Sequence, residues 1–146
     1  MHALIATETV TIEAPAEIVR AQFGDVGHHE RVGPHTGVVF RVLRSDARST
    51  DYEQVTSIGP IKAKQTLRLD DVGSGPLVNT VTGGMLRGGT ITFRFDSHTA
   101  ATVVTAEVRG RAPRPLVPLL RRAVGRQLRA ALVEDKTDIE QAGYPR

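Results

Sequence analysis

Residues 113–143 read PRPLVPLLRRAVGRQLRAALVEDKTDIEQAG, and their spacing decides the fold. Leu116, Val117, Leu120, Val124, Leu128, Ala131, Leu132 and Ile139 recur at the spacing of one face of an α-helix. No other segment offers a helix of comparable length. About 30 residues at ~1.5 Å each make a rod of about 45 Å, too long to cap one edge of a sheet. The helix also comes last, after a chain that reads as strand after strand. It is therefore expected to lie along the concave face of a sheet that curves around it, with room for a ligand between the two.

The segments before it alternate with period two. Residues 61–70 set Ile61, Ala63, Gln65, Leu67 and Leu69 against Lys62, Lys64, Thr66, Arg68 and Asp70, the pattern of a sheet with one wet face. Residues 7–13, 37–44, 50–58, 77–85, 88–96 and 101–111 read as the other strands. Gly59-Pro60, residues 71–76 and residues 97–100 are turns. Pro15 opens a short helix over 16–23, and Asp25 caps a second through about Arg31, which Gly33-Pro34 ends. Connections are short, so neighbouring strands should pair antiparallel. The glycine pairs at 83–84 and 88–89 are where the sheet is expected to bend.

The expected architecture is α+β: a strongly curved antiparallel sheet of about seven strands around a long C-terminal helix, with two short helices between strands 1 and 2. At 146 residues, 40% hydrophobic and 24% charged, the chain suits one domain spanning 1–146. No apolar run approaches a membrane span, and the N-terminus lacks the features of a secretory signal. The absence of cysteine excludes disulfides and thiolate chemistry and accords with a cytoplasmic location. Net charge is +3, with the surplus concentrated in the arginines of residues 109–129. Arg122, Arg126 and Arg129 fall opposite the apolar stripe, as a solvated helix face would. With 4% aromatics, no Trp and no recognition motif, no nucleic-acid partner is expected.

Three stretches carry a family resemblance: Val10-Thr11-Ile12-Glu13-Ala14-Pro15-Ala16-Glu17-Ile18-Val19, then Phe23-Gly24-Asp25-Val26 with Pro34-His35-Thr36-Gly37-Val38, then residues 84–95, GMLRGGTITFRF. Together with the element order they resemble the START-like helix-grip superfamily, which includes polyketide cyclases/dehydrases and lipid-transfer domains. The resemblance spans essentially the whole chain. It implies a cavity between sheet and helix that holds an apolar or amphipathic small molecule. It carries no universal catalytic residue onto this sequence, and fold alone does not fix function.

Three constellations could carry chemistry. His28, His29 and His35 lie within eight residues, with Glu30 among them, at the expected mouth of the cavity. Their spacing matches no standard metal motif, so neither a metal nor a cofactor is expected; a single histidine acting on protons, or a polar surface loop, accounts for them better. Tyr52, Gln54, Gln65 and Asn79 fall on faces that alternation points inward, where a buried amide or phenol needs a partner. That partner is either a ligand or one of the other polar groups. Asp135 interrupts the apolar stripe of the last helix. It either faces the cavity as an orienting group or base, or reaches solvent as the stripe drifts. With Phe93, Leu120 and Val124 these residues form the expected ligand site. The expected role is a carrier or sensor of a lipid, polyketide or isoprenoid, in a monomer or homodimer without stable membrane insertion. The alternative is a cyclase, aromatase or dehydratase working in the same cavity, with Tyr52, a histidine or Asp135 moving protons.

Overall fold

In a computed structural model, residues 1–58 and 60–146 are described, without the side chains of Ile58 and Ile61; the Gly59 turn and the inward placement of Ile61 lie outside the described residues. Strands β1 (His2–Ile12), β2 (Val38–Ser45), β3 (Ser49–Ile58), β4 (Ile61–Asp70), β5 (Leu77–Gly83), β6 (Thr90–His98) and β7 (Ala101–Ala112) form one antiparallel sheet. Its order is β1-β7-β6-β5-β4-β3-β2. From β2 to β7 each strand pairs with its successor, as short connections dictate. The first strand pairs across the other edge from His2 opposite Ala112 to Ile12 opposite Thr102. It thus begins before residue 7, where alternation first becomes legible.

Between β1 and β2 lie α1 (Ala16–Gly24) and α2 (Val26–Val32). Asp25 joins them and caps the second, its Oδ1 accepting the His28 N–H at 2.9 Å. Gly33 ends α2 at φ +63°, a conformation that glycine adopts at little cost. The last helix is composite. A 3-10 turn (Arg114–Leu116) leads into α3 (Val117–Thr137), and a π turn (Asp138–Ala142) finishes it.

The sheet is bent by two irregularities. The register shifts between Val42 and Arg44 against β3, and between Thr66 and Leu67 against β5. At the second shift, a Cβ on Gly83 would lie 2.5 Å from Thr66 Oγ1. Gly84 takes φ +105°, and a Cβ there would lie 2.8 Å from the Lys64 carbonyl oxygen. The bend expected at this glycine pair is present, and it ends β5 at Gly83 rather than at Met85. Curvature shows in which elements meet. The long helix packs along β1 at one sheet edge. Near the other edge, Glu134 accepts the Thr36 N–H and hydroxyl at 3.0 and 2.9 Å just before β2. One helix reaches both edges only if the sheet wraps around it.

The wrapped face is the core. Ile12, Leu67, Leu69, Leu77, Val81, Val104 and Ala106 pack with Leu128, Leu132 and Ile139 of the closing helix. Each such helix side chain contributes about 1.5–3 kcal/mol when taken fully from water, more than the intrinsic helix preference of any one residue. Leu4, Ala112 and Val117 close the opposite end of the helix against β1 and β7. Arg122, Arg126 and Arg129 stay exposed, forming the solvated face read from their spacing, and Arg121 is exposed as well.

Candidate functional site

A cavity of about 450 Å³ lies between the curved sheet and α3. Tyr52, Gln54, Gln65, Asn79, Phe93, Leu120, Val124 and Asp135 all line it, as do His29 and His35. Phe23, Phe40, Ile91 and Leu132 complete much of its apolar wall. Inward alternation on β3, β4 and β5 places the polar residues here. Alternation on β6 places Phe93, and the period of α3 places Leu120, Val124 and Asp135.

In the middle of the cavity the polar groups partly satisfy one another. The Tyr52 hydroxyl donates to Asn79 Oδ1 at 2.7 Å, and Asn79 Nδ2 donates to the Ile91 carbonyl at 3.2 Å. Burial pushes the Tyr52 phenol far above its ordinary pKa, so it stays a neutral hydroxyl committed to Asn79. Gln54 Nε2 makes a long contact of 3.4 Å to Thr56 Oγ1. Gln65 Oε1 is buried and has no hydrogen-bond partner among the described residues.

The histidines form no exposed surface loop. His28, His29 and His35 are all buried. The first two are adjacent on α2 and therefore point about 100° apart, toward different carboxylates. His28 turns away from the cavity, which corrects its expected place at the mouth. Its Nε2 sits 2.7 Å from Asp138 Oδ2, its ring stands edge-on to Tyr144, and it has no exposed surface. Asp138 Oδ2 also accepts Gln22 Nε2 at 3.1 Å, and Asp138 Oδ1 pairs with Arg146 at 2.5 Å. Burial acts to raise the Asp138 pKa, but these hydrogen bonds outweigh it and hold the carboxyl below its ordinary range.

His29 and His35 face the cavity and converge on Asp135. His29 Nε2 is 2.9 Å and His35 Nε2 3.4 Å from Asp135 Oδ1, which also accepts Gln22 Nε2 at 3.0 Å. Asp135 is only 5% exposed, so the drift of the apolar stripe does not carry it to solvent. The outer nitrogens are also engaged. His29 Nδ1 lies 2.9 Å from the Asp25 carbonyl oxygen, and His35 Nδ1 lies 3.1 Å from Glu134 Oε1. The two rings stack with centroids 5.4 Å apart, and Phe40 packs against both. For both histidines burial acts to lower the pKa, but the hydrogen bond and charge of Asp135 win and raise it. For Asp135 burial acts to raise the pKa, and the two histidines reverse this, leaving its carboxyl well below the carboxylate range. The wall of the apolar cavity thus carries a compact imidazole–carboxylate group of ionisable side chains.

Sequence reasoning did not find Gln22, Glu134, Asp138 or Arg146 as parts of this network. Asp138 carried a signal, since it lies three residues beyond Asp135 on the same helical face. Gln22 and Arg146 carried none.

No known family model matches the chain, and no curated protein matches it in sequence. Solved structures do match it in fold. TTHA0849 from Thermus thermophilus superposes with a TM-score of 0.81 at 15% identity, covering 94% of this chain and 98% of that one. The Zhui aromatase/cyclase from a Streptomyces species gives 0.75 at 18%, covering 97% and 99%. A START superfamily protein from Mycobacterium smegmatis gives 0.78 at 11%, covering 94% and 98%. The chain has the START-like helix-grip fold. Among the described residues of this helix-grip chain, no helix is long and apolar enough to cross a membrane. At these identities the likeness is one of fold and leaves the ligand to the cavity.

Proposed function

We propose that this protein binds one small apolar or amphipathic molecule, of lipid, polyketide or isoprenoid type, between its curved sheet and α3, as a carrier or sensor. The observation that carries the reading is the cavity itself. Its volume of about 450 Å³ falls in the range of small-molecule sites, and its aromatic and aliphatic wall carries only a few polar groups. Those groups differ in what they offer a ligand. The Tyr52–Asn79 pair is self-satisfied and offers little to a ligand, whereas Gln65 Oε1 is an acceptor in need of a donor. The His29–His35–Asp135 group offers ionisable side chains. The occupant best matched is a mostly apolar molecule with a hydroxyl near Gln65 and an oxygen function at the histidines.

The test is native mass spectrometry of protein purified from its own host, with extraction and identification of whatever is retained. A co-purifying apolar molecule, displaced by an environment-sensitive fluorescent fatty acid, supports the reading. Failure of lipids, polyketides and that probe alike to bind rejects it. An enzymatic reading of cyclase or dehydratase type is favoured by one observation, the pairing of His29 with Asp135 in the cavity wall. It requires Asp135→Asn to abolish turnover while ligand is still bound.

A further inference from the structure

We propose that His29, His35 and Asp135 form a binding site for a single divalent first-row transition-metal ion, of the zinc and cobalt(II) class, open toward the cavity. One donor atom from each of the three lies within 4.8 Å of the others, and all three residues are buried. The argument begins with the outer nitrogens. His29 Nδ1 faces the Asp25 backbone carbonyl, which only accepts hydrogen bonds, so this nitrogen carries the proton. His35 Nδ1 faces Glu134 Oε1. That carboxylate also accepts the Thr36 N–H and hydroxyl and is ionised, so Nδ1 of His35 carries its proton too. In their neutral forms both rings therefore aim an Nε2 lone pair at the same carboxylate oxygen.

Lone pairs pointed at an anion repel unless something positive lies among them. Two arrangements satisfy the group. Either both rings are imidazolium, two stacked cations sharing one carboxylate oxygen, or one divalent ion sits among three neutral or anionic donors. The geometry accommodates the ion. Bonds of about 2.1 Å meeting at 90–109° put neighbouring donors about 3.0–3.4 Å apart. The two separations to Asp135 Oδ1 are 2.9 and 3.4 Å. Each ligand is also held from behind: His29 by a carbonyl, His35 by a carboxylate and Asp135 by Gln22 Nε2. Such outer partners fix the ring tautomer and aim that metal-binding histidines require. Two imidazoles and one carboxylate select imidazole-preferring transition ions over calcium or magnesium. Three protein ligands leave positions free, and all three residues line the cavity, so an oxygen donor of a cavity ligand can complete the sphere.

The sequence did not suggest this, because His28, the nearest histidine to His29, is not part of it. The site is independent of the ligand reading above, since it is tested with metal alone. Chelator-treated full-length protein is titrated with zinc by calorimetry and with cobalt(II) by visible absorption. The expected results are one equivalent bound at micromolar or lower Kd, a low-symmetry cobalt d–d spectrum, and a melting temperature that rises with zinc concentration. His35→Gln and Asp135→Asn should each weaken zinc by at least about 10–100-fold, the loss seen when even an outer partner of a metal ligand is removed. His28→Ala, measured at a temperature where it is folded, should leave zinc affinity unchanged. Absence of stoichiometric binding to the wild-type protein overturns the proposal without reference to any variant. So does binding that survives both ligand substitutions, or that is lost equally with His28→Ala.

Discussion

Substituting His28 by alanine should cost about 2.5–4 kcal/mol of folding stability while leaving cavity binding intact. Two losses make up the magnitude. The ring has no exposed surface, and its Nε2 lies 2.7 Å from the ionised Asp138. A hydrogen bond to a charged group contributes about 1.5–3 kcal/mol. Space left by a buried ring adds about 1 kcal/mol or more. The total stops short of the worst outcome because Asp138 keeps Gln22 Nε2 and Arg146 and is never a bare buried charge. Asp138→Ala should be at least as damaging. It leaves His28 with no partner at Nε2, and Nδ1 of His28 already has none. For a chain of 146 residues the His28 loss corresponds to a drop of roughly 5–15 °C in Tm. Thermal unfolding by circular dichroism and urea titration measure it, and displacement of a fluorescent fatty acid measures the cavity. A cost under about 1 kcal/mol would refute the role of His28 in anchoring the last turn. A large loss of ligand affinity in the folded variant would refute its separation from the site.

Three other outcomes follow from the same geometry. Tyr52→Phe keeps the ring but strips Asn79 Oδ1 of its donor; it should cost about 1–2 kcal/mol in urea titration, and an unchanged midpoint would mean that water replaces the hydroxyl freely. Gly84→Ala forces a side chain into φ +105° and against the Lys64 carbonyl oxygen and Gln65. It should cost about 1–3 kcal/mol and weaken ligand binding through Gln65, and a neutral stability change would remove this glycine from the cause of the bend. Asp71 is held below its ordinary pKa chiefly by its hydrogen bond with Arg20, so the pair stabilises above the ordinary aspartate pKa and fades as pH falls through the lowered folded value. Arg20→Gln should therefore cost about 0.2–1 kcal/mol at pH 7, and the difference from wild type should shrink at an acid pH below the lowered folded value. Equal differences at both pH values would reject the pairing.

Periodic features were legible in the sequence, and features that depend on distant partners were not. The period-two run through Gln65, Leu67 and Leu69 and the helical run through Leu120, Val124, Leu128 and Leu132 each repeat one local rule many times. Such repetition survives an error at any single position. It sufficed to assign the strands and their inward faces, and with them part of the wall that the cavity has. Asp135 is different. Whether it reached solvent or the cavity depended on what stood opposite, and its partners His29 and His35 lie about 100 residues away in the chain. The three histidines misled for the same reason. Close in sequence and polar, they resembled a loop at an opening, and only the docking of α2 and the segment after it onto β2 and the closing helix buries them.

That docking also explains why adjacent histidines do different work. Neighbouring residues on α2 diverge by about 100°, while residues three apart on the closing helix return to nearly the same face. His28 and His29 thus meet Asp138 and Asp135 respectively, one pair behind the other, with Gln22 Nε2 bridging the two carboxylates. The rear pair is tied to the C-terminal residue Arg146 and holds the last turn, where the helix passes into its π segment. The front pair is left to face the cavity. A charge placed in an apolar cavity is costly unless its surroundings are fixed. Gln22 supplies that fixity from behind Asp135, so the group facing the cavity depends on a residue outside the cavity's lining.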